Sequence, residues 1–456
     1  MERDTVYINI DQELLDEIYY LIENDNQEIL KNILFDLEAA DIALILTYIE
    51  DVHKQNYIYS LVPEQKRPEV FLKTSIDVKK KLIPYLKQEE LIYILEELET
   101  DDAVDLLLEL PKDIQKVLLQ SITEERRNIL TKLLGYEEDT AGGIMSADLL
   151  SVKENDTVKR ALSKLKKMIR EGYDIHNTFV VDDEGRLIGV VSIYELLVHS
   201  ENKRIKKIMR KPEFIITPDM DQEEIAQIFK KYDVYSLPVV DVQGKLIGRI
   251  TVDDIVEVME EEHNEDIAKM VGTDAEEMYN RSPVKIALMR APWVLMTLAV
   301  EFIGGIVIHH YDDVLQKIIL LASFMPIISA ISGNTGLQSA AVIIRALATG
   351  HAKLEEWWKP IIRQLTVTLI LGSLLGIVIG FIGGIWHQTV KFGVVVGISM
   401  FIAVNLSGFV GTVTPMISKR FGIDPAITAG PFETAFQDVV GITIFLTLAK
   451  IFFEYF

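Results

Sequence analysis

The hydrophobic positions divide the chain into two parts that follow different patterns. In the second part, long apolar stretches alternate with short polar segments, and they cover residues 291–309, 317–344, 361–386, 392–417 and 427–453. A helix needs about 20 apolar residues to cross the hydrocarbon core of a bilayer. The pattern therefore predicts an α-helical transmembrane domain with five spans over residues 286–456.

Leucine and isoleucine follow a helical period in the first part of the chain. Within residues 26–135 they recur at spacings of three and four, as in segments 29–37 and 91–98. This spacing is typical of amphipathic helices, and the short length of each segment favours paired helices stacked into a superhelix. We therefore expect an acidic α-helical N domain over residues 1–135.

An internal repeat follows the helical region. Residues 177–197 recur as residues 236–256, and the turn glycines Gly185 and Gly244 are 59 residues apart. Each copy has a β-branched strand, a glycine turn, a second strand and the start of a helix. The repeat predicts two α/β units, over residues 136–200 and 201–260.

Charge is as unevenly distributed as hydrophobicity. Residues 1–280 contain 60 Asp and Glu against 34 Lys and Arg, whereas residues 281–456 contain 9 against 12. The acidic part would repel phosphates, which excludes nucleic acid as a partner, and it suits divalent cations. The absence of cysteine excludes disulfides, thiolate catalysis and cysteine-ligated metal sites.

Basic residues indicate how the spans are oriented. The first residues are acidic and lack an apolar core, so we expect no cleavable signal peptide and a cytoplasmic N-terminal region. Three basic residues, Lys317, Lys391 and Lys450, then flank the outer side, against nine on the cytoplasmic side. This bias fits the positive-inside rule and predicts a multi-pass protein of the cell membrane with its C-terminus outside.

Asp438 lies in the middle of the fifth apolar stretch. A carboxylate at membrane depth costs at least about 2.5 kcal/mol, so it normally faces a water-filled path or a cation. The leading hypothesis is therefore a cation pathway. The alternative is that the Asp438 carboxylate is neutralised by protonation or by a partner on another helix. Glu301 and Glu433 are further intramembrane carboxylates, and Glu433 either caps its helix or takes part in conduction.

Two groups of acidic residues in the soluble part are candidate regulatory metal sites. The second group lies on a predicted linking helix over residues 253–285, which is expected to act as a plug. Two like-charged surfaces repel each other unless cations bridge them, and Mg²⁺ and Ca²⁺ prefer oxygen ligands. A solvated acidic face is the alternative. The candidate ligands are Asp101, Asp102, Asp105, Glu223, Asp233, Asp254, Glu257, Glu262, Glu265 and Asp266.

The repeat, with the lead-in segments 144–145 and 208–209, resembles a tandem pair of cystathionine-β-synthase (CBS) domains. Such pairs are regulatory modules that often bind adenine nucleotides, although many bind none. The resemblance places Ser192 with Glu195, and Thr251 with Asp254, where a ribose is held in nucleotide-binding pairs. ATP is therefore a candidate ligand.

The order of an acidic helical domain, a CBS pair, an acidic linking helix and five spans resembles the MgtE family of magnesium channels. The most specific motifs lie at residues 141–145, 332–339, 345–348 and 424–426, with Asn405, Gly411, Pro415, Pro431 and Asp438. The resemblance implies a homodimer with one pore on its two-fold axis, lined by spans two and five, with Asp438 and Asn334 at the ion site. Leu337 departs from the family, in which Asn or Thr is frequent, and this puts a polar role for that position in doubt.

Three functions fit these features. The first is a Mg²⁺-selective channel gated by cytosolic Mg²⁺ through the acidic N and CBS domains. The second is a coupled secondary transporter of divalent cations such as Mg²⁺ or Co²⁺, in which Glu301 carries a proton. The third is a membrane-anchored nucleotide sensor without transport. No nucleotide-hydrolysis loop is present, and we expect no enzyme activity.

Overall fold

The computed structural model of the chain describes residues 12–278 and 282–455. It divides into two compact units, the first ending at Val258 and the second beginning at Met259. This boundary falls inside one helix.

In the described residues, the first unit begins with ten short α-helices. They are α1 (Gln12–Glu23), α2 (Gln27–Asp36), α3 (Ala39–Tyr48), α4 (Val52–Leu61), α5 (Arg67–Lys73), α6 (Ile76–Leu82), α7 (Gln88–Glu97), α8 (Thr100–Glu109), α9 (Lys112–Ser121) and α10 (Glu124–Leu133). Each of α2 to α5, α7 and α8 packs against the helix two positions further along the chain. The buried stripe of α7, formed by Leu91, Ile94 and Leu95, shows how the leucine spacing produces this superhelix.

The two α/β repeats follow, and the first unit ends within their last helix. The first contains β1 (Ser151–Lys153), α11 (Val158–Arg170), β2 (Asn177–Val181), β3 (Leu187–Ser192) and α12 (Ile193–Val198), and the second contains α13 (Gln222–Tyr232), β4 (Ser236–Val240), β5 (Leu246–Thr251) and α14 (Val252–Met270). β2 pairs with β3, and β4 with β5, in antiparallel hairpins, whereas β1 runs parallel to β2. Gly185 and Gly244 turn the two hairpins at φ +83° and +78°, a conformation that favours glycine.

The second unit is helical. Its helices after α14 are α15 (Pro283–His310), α16 (Asp312–Lys317), α17 (Leu321–Ala348), α18 (Trp358–His387), α19 (Val390–Arg420), α20 (Pro425–Thr428) and α21 (Pro431–Tyr455). Among the described residues, five helices are long and apolar enough to cross a membrane. We call α15, α17, α18, α19 and α21 spans one to five. The predicted five-span helical domain is confirmed, although the fifth apolar stretch is interrupted at Gly430, between α20 and α21.

The predicted linking helix over 253–285 is shorter than expected. α14 ends at Met270, and Gly272 then adopts φ +73°. A residue in this left-handed conformation closes a helix because its backbone turns away from the helical path. A short 3₁₀ helix over Ala275–Met278 follows, and residues 279–281 lie outside the described part of the chain.

Spans three and four approach each other through glycines. A Cβ atom on Gly393 would overlap the carbonyl oxygen of Gly380 and would lie 3.0 Å from the Cα of Gly384. The obstacles are backbone atoms, which cannot rotate away as a side chain would. Small residues are therefore required where these two helices cross.

We predict that Gly393→Ala destabilises the protein in detergent, because overpacking of a tight contact costs about 1–3 kcal/mol. Gly305→Ala is the matched control, since a Cβ at Gly305 meets no atom within 4 Å. Thermal unfolding of the two variants measures the difference. Equal melting temperatures would contradict the assigned contact between spans three and four.

Candidate functional site

The first acidic cluster joins the N domain to the second CBS repeat within the first unit. Asp101 and Asp102 lie in the first turn of α8, and Asp254 lies in the first turn of α14. The charge of Asp254 acts on both α8 carboxylates, and Glu257 acts on Asp102. Asp101 is only 9% exposed, and its Oδ1 has no hydrogen-bond partner. The structure thus brings together four of the predicted regulatory ligands, which we call the α8–α14 cluster.

Burial among like charges makes these carboxyls hard to ionise. Burial, then the charges of Glu99, Asp254 and Glu257, raise the pKa of Asp102 to about 7. Burial also raises the pKa of Asp254 to about 6, and that of Asp101 rises well above its usual value. At neutral pH the α8–α14 cluster therefore needs either bound protons or a cation.

Two neighbouring contacts fix the geometry of this cluster. The Thr251 hydroxyl donates a hydrogen bond of 2.6 Å to Asp254 Oδ2. Arg249, which is 3% exposed, forms an ion pair with Glu99 at 2.9 Å. The sequence analysis missed Arg249, because no local signal indicates that a strand residue meets a carboxylate 150 positions away.

The other soluble candidates lie elsewhere. Asp105 is on the exposed side of α8. Glu223 is in the first turn of α13, and Asp233 follows its last turn with φ 51°. At about 1.5 Å of rise per residue, the ends of that helix are too far apart for these two carboxylates to bind one ion.

The predicted acidic run on α14 is divided between the two units. Glu262, Glu265 and Asp266 belong to the second unit. Burial, then the charge of Asp424, raise the pKa of Asp266. Lys269 forms ion pairs with Glu265 and, at 2.7 Å, with Asp424.

Direct metal chelation has no prearranged geometry in the described residues. No group of three or more His, Asp or Glu side chains there is placed to hold a metal ion. Mg²⁺ dehydrates reluctantly and is usually bound through one or two carboxylates and several waters. Pairs of carboxylates such as those of the α8–α14 cluster suit this mode of binding.

Asp438 on span five faces span two. A Cβ on Gly333 would lie 3.0 Å from Asp438 Oδ1 and 3.4 Å from the Thr434 methyl group. Asp438 Oδ1 is buried and has no hydrogen-bond partner. On its other side, the Glu301 carboxyl of span one lies within hydrogen-bonding reach of Asp438. The sequence analysis noted Glu301 but could not place it, because its partner lies on another span.

Two polar residues of span two lie on one exposed face. Asn334 and Gln338 are exposed in the protomer and lie four residues apart, which places them on the same side of the helix. Leu337 is half-buried beside them.

Glu433 is separate from this face. It is 2% exposed, and neither carboxylate oxygen has a hydrogen-bond partner. Its Oε1 would lie 2.9 Å from a Cβ on Gly411, in span four. Because the carboxylate accepts no bond from the first-turn amides, the capping role considered for Glu433 is not supported.

The two pairs of residues that the resemblance places at a ribose differ in their surroundings. Ser192 caps α12, where its hydroxyl accepts a hydrogen bond from the amide of Glu195 at 3.3 Å. The Glu195 carboxylate pairs with Arg210 at 2.5 Å and lies 3.2 Å from His199. Thr251, in contrast, is bonded to Asp254.

Comparisons with known proteins agree with this arrangement. Residues 37–139 match the family described as the MgtE intracellular N domain, residues 141–202 and 205–261 match the CBS domain, and residues 325–448 match MgtE, a divalent cation transporter. The magnesium transporter MgtE of Thermus thermophilus is 31% identical over 451 residues, covering 98% of this chain and 100% of the relative. The chain belongs to the MgtE family.

Two further likenesses support the MgtE assignment. The magnesium transporter MgtE of Enterococcus faecalis is 32% identical over 332 residues, which cover 73% of each chain. The crystal structure of the cytosolic domain of the Mg²⁺ channel MgtE in complex with ATP is 30% identical, with a TM-score of 0.51, and covers 54% of this chain and 99% of that one. The expected combination of helical N domain, CBS pair and helical membrane domain is therefore confirmed.

The raised pKa values predict a pH-dependent need for metal. Carboxyls with a raised folded-state pKa contribute stability that is fully present below their usual value of 3.8 and is lost as the pH rises through about 6 to 7. Without Mg²⁺, α8 and the start of α14 should lose protection from hydrogen exchange between pH 5 and pH 8. Added Mg²⁺ should restore protection at pH 8 and change little at pH 5.

Asp102→Asn should reduce this pH dependence, whereas Asp113→Asn, at an exposed carboxylate of α9, should leave it intact. Comparing hydrogen exchange with and without Mg²⁺ at the same pH removes the intrinsic effect of pH on the exchange rate. An equal effect of Mg²⁺ at both pH values would contradict the linkage.

Proposed function

We propose that this protein is a Mg²⁺-selective channel of the cell membrane, which works as a homodimer with its pore on the two-fold axis. Spans two and five line the pore, the N-terminus is cytoplasmic and the C-terminus is outside. The relatives named as magnesium transporters support the cargo. The observation that carries the proposal is the buried, unpartnered Oδ1 of Asp438 against Gly333 of span two.

The chemistry of this position suits hydrated Mg²⁺. One Asp438 from each subunit would supply two carboxylates, too few to replace the ion's water shell but enough to hold the hydrated ion. Glu301 adds negative charge beside Asp438. Asn334 and Gln338 supply polar groups on the exposed face of span two. Hard oxygen groups of this kind favour Mg²⁺ over softer metals.

Gating follows from the α8–α14 cluster. At high cytosolic Mg²⁺, ions bridge Asp101 and Asp102 with Asp254 and Glu257, which keeps the N domain on the second CBS repeat. When Mg²⁺ falls, the repulsion between the carboxylates separates them and the α14 helix moves off the pore. The higher affinity of the compact state for Mg²⁺ drives this shift.

ATP is the proposed second ligand of the CBS pair. The solved cytosolic domain in complex with ATP supports this, as do the hydroxyls of Ser192 and Thr251 at matching positions in the repeat. Because Thr251 donates to Asp254, nucleotide binding at Thr251 would also act on the α8–α14 cluster. ATP and Mg²⁺ binding are then linked through one carboxylate.

A coupled secondary transporter is the second candidate. The contact between Glu301 and Asp438 favours it, because two adjacent carboxyls readily share a proton. A proton-coupled carrier would make Mg²⁺ movement depend on the pH gradient. A nucleotide sensor without transport leaves this intramembrane pair without a role.

Asp438→Asn should abolish or strongly reduce Mg²⁺ uptake into proteoliposomes, because it removes the fixed negative charge on the pore-lining span. Asp313→Asn is the matched control: it makes the same substitution at an exposed carboxylate of α16, outside the five spans. A fluorescent Mg²⁺ indicator inside the vesicles gives the readout, and size-exclusion chromatography checks folding. Uptake by Asp438→Asn at the rate of the unmodified protein would show that the ion site is wrongly assigned.

Protease sensitivity between residues 253 and 285 should fall as Mg²⁺ rises through the millimolar range, since closure protects this segment. Asp254→Asn should shift the protection to higher Mg²⁺, because a bridging carboxylate is lost. Gel analysis of timed digests provides the measurement. A digestion pattern that does not change with Mg²⁺ would rule out gating through the acidic surfaces.

A further inference from the structure

Lys269 is the single Lys or Arg between residues 250 and 280 of the sequence, in a segment rich in carboxylates. It lies in the last turn of α14, where its Nζ is 2.7 Å from Asp424 Oδ2 and also pairs with Glu265. The side chains of Lys269 and Asp424 are 26% and 31% exposed. Both contacts join an ammonium group to carboxylates, so Lys269 neutralises part of the acidic charge at this point.

The same turn of α14 packs against the start of span five. A Cβ on Gly430 would lie 3.0 Å from the carbonyl oxygen of Lys269, and a Cβ on Gly272 would overlap Pro431. Met270 packs against Ala340 and Ile344 of span two and against Ala429. The end of the linking helix thus contacts both spans that are proposed to line the pore.

Asp424 connects Lys269 to span five. Its Oδ1 accepts a hydrogen bond of 2.8 Å from the amide of Ala426 and caps α20, while its Oδ2 receives the Lys269 ammonium. The chain continues from α20 through Gly430 into α21, which carries Asp438. The position of span five is therefore tied to a charge on α14.

We propose that Lys269 is a positioning residue for the pore helix: a tethered cation that holds the end of α14 on the start of span five without requiring metal. The inference rests on the proposed function and adds to it a second contribution to closure, which does not depend on bound Mg²⁺. Mg²⁺ has to neutralise only the carboxylates that Lys269 does not reach, so Lys269 lowers the Mg²⁺ concentration needed for closure.

Lys269→Met tests the role of this charge in the full-length protein. Patch recordings from giant liposomes, with Mg²⁺ varied on the cytosolic side, should show half-inhibition at about fivefold higher Mg²⁺, as expected for loss of a partly buried ion pair. Lys269→Arg should stay close to the unmodified protein. Half-inhibition at unchanged or lower Mg²⁺ in Lys269→Met would overturn the proposal.

Asp424→Asn completes a double-mutant cycle. Asparagine still caps a helix, so this variant removes the charge of residue 424 and keeps the α20 cap. The two single variants should have similar effects, and the double variant should add little to either, because both break one interaction. Full additivity would show that the Lys269–Asp424 pair has no coupling role.

Arg290→Gln is the control, since Arg290 forms its ion pair with Glu277 rather than with Asp424. It should leave the Mg²⁺ dependence unchanged. If the unmodified protein carries no Mg²⁺ current, the proposed function fails. Hydrogen exchange in residues 264–272 then still tests the contact between the end of α14 and the start of span five. Faster exchange there in Lys269→Met than in Arg290→Gln is expected, and equal exchange would refute the tether.

Discussion

Carboxylates placed beside one another, with too little positive charge between them, are the constraint on which this protein depends. Asp101, Asp102 and Asp254 meet where the N domain joins the second CBS repeat. Glu301 and Asp438 meet in the membrane domain. Each meeting point is unfavourable unless a proton or a cation is added. In the proposed function, both regulation and conduction depend on a cation bound at these points.

The surrounding packing makes these meeting points possible. In the first unit, the leucine-rich superhelix presents the first turn of α8 to α14, and the Arg249–Glu99 pair fixes the join. In the second unit, Gly333 leaves room for Asp438, and the glycines of spans three and four allow close helix contact. Lys269 supplies a permanent positive charge at the end of α14, where the sequence otherwise places carboxylates.

Local patterns were enough to predict the architecture. The helical period, the internal repeat and the five apolar stretches indicated the correct classes of element, because each depends on neighbouring residues. The end of α14 was missed although it has a local signal, since Gly272 is the residue type that adopts the left-handed conformation after a helix. Contacts such as Arg249 with Glu99 join distant positions, and no local pattern indicates them.

A channel lets Mg²⁺ pass down its own electrochemical gradient through an open path. Current recordings from the purified protein in planar bilayers, with a Mg²⁺ gradient and equal pH on both sides, test this. We expect a reversal potential that follows the Mg²⁺ equilibrium potential, about 30 mV for each tenfold gradient of a doubly charged species. Mg²⁺ flux without current, or a reversal potential that shifts when only a pH gradient is imposed, would contradict a channel.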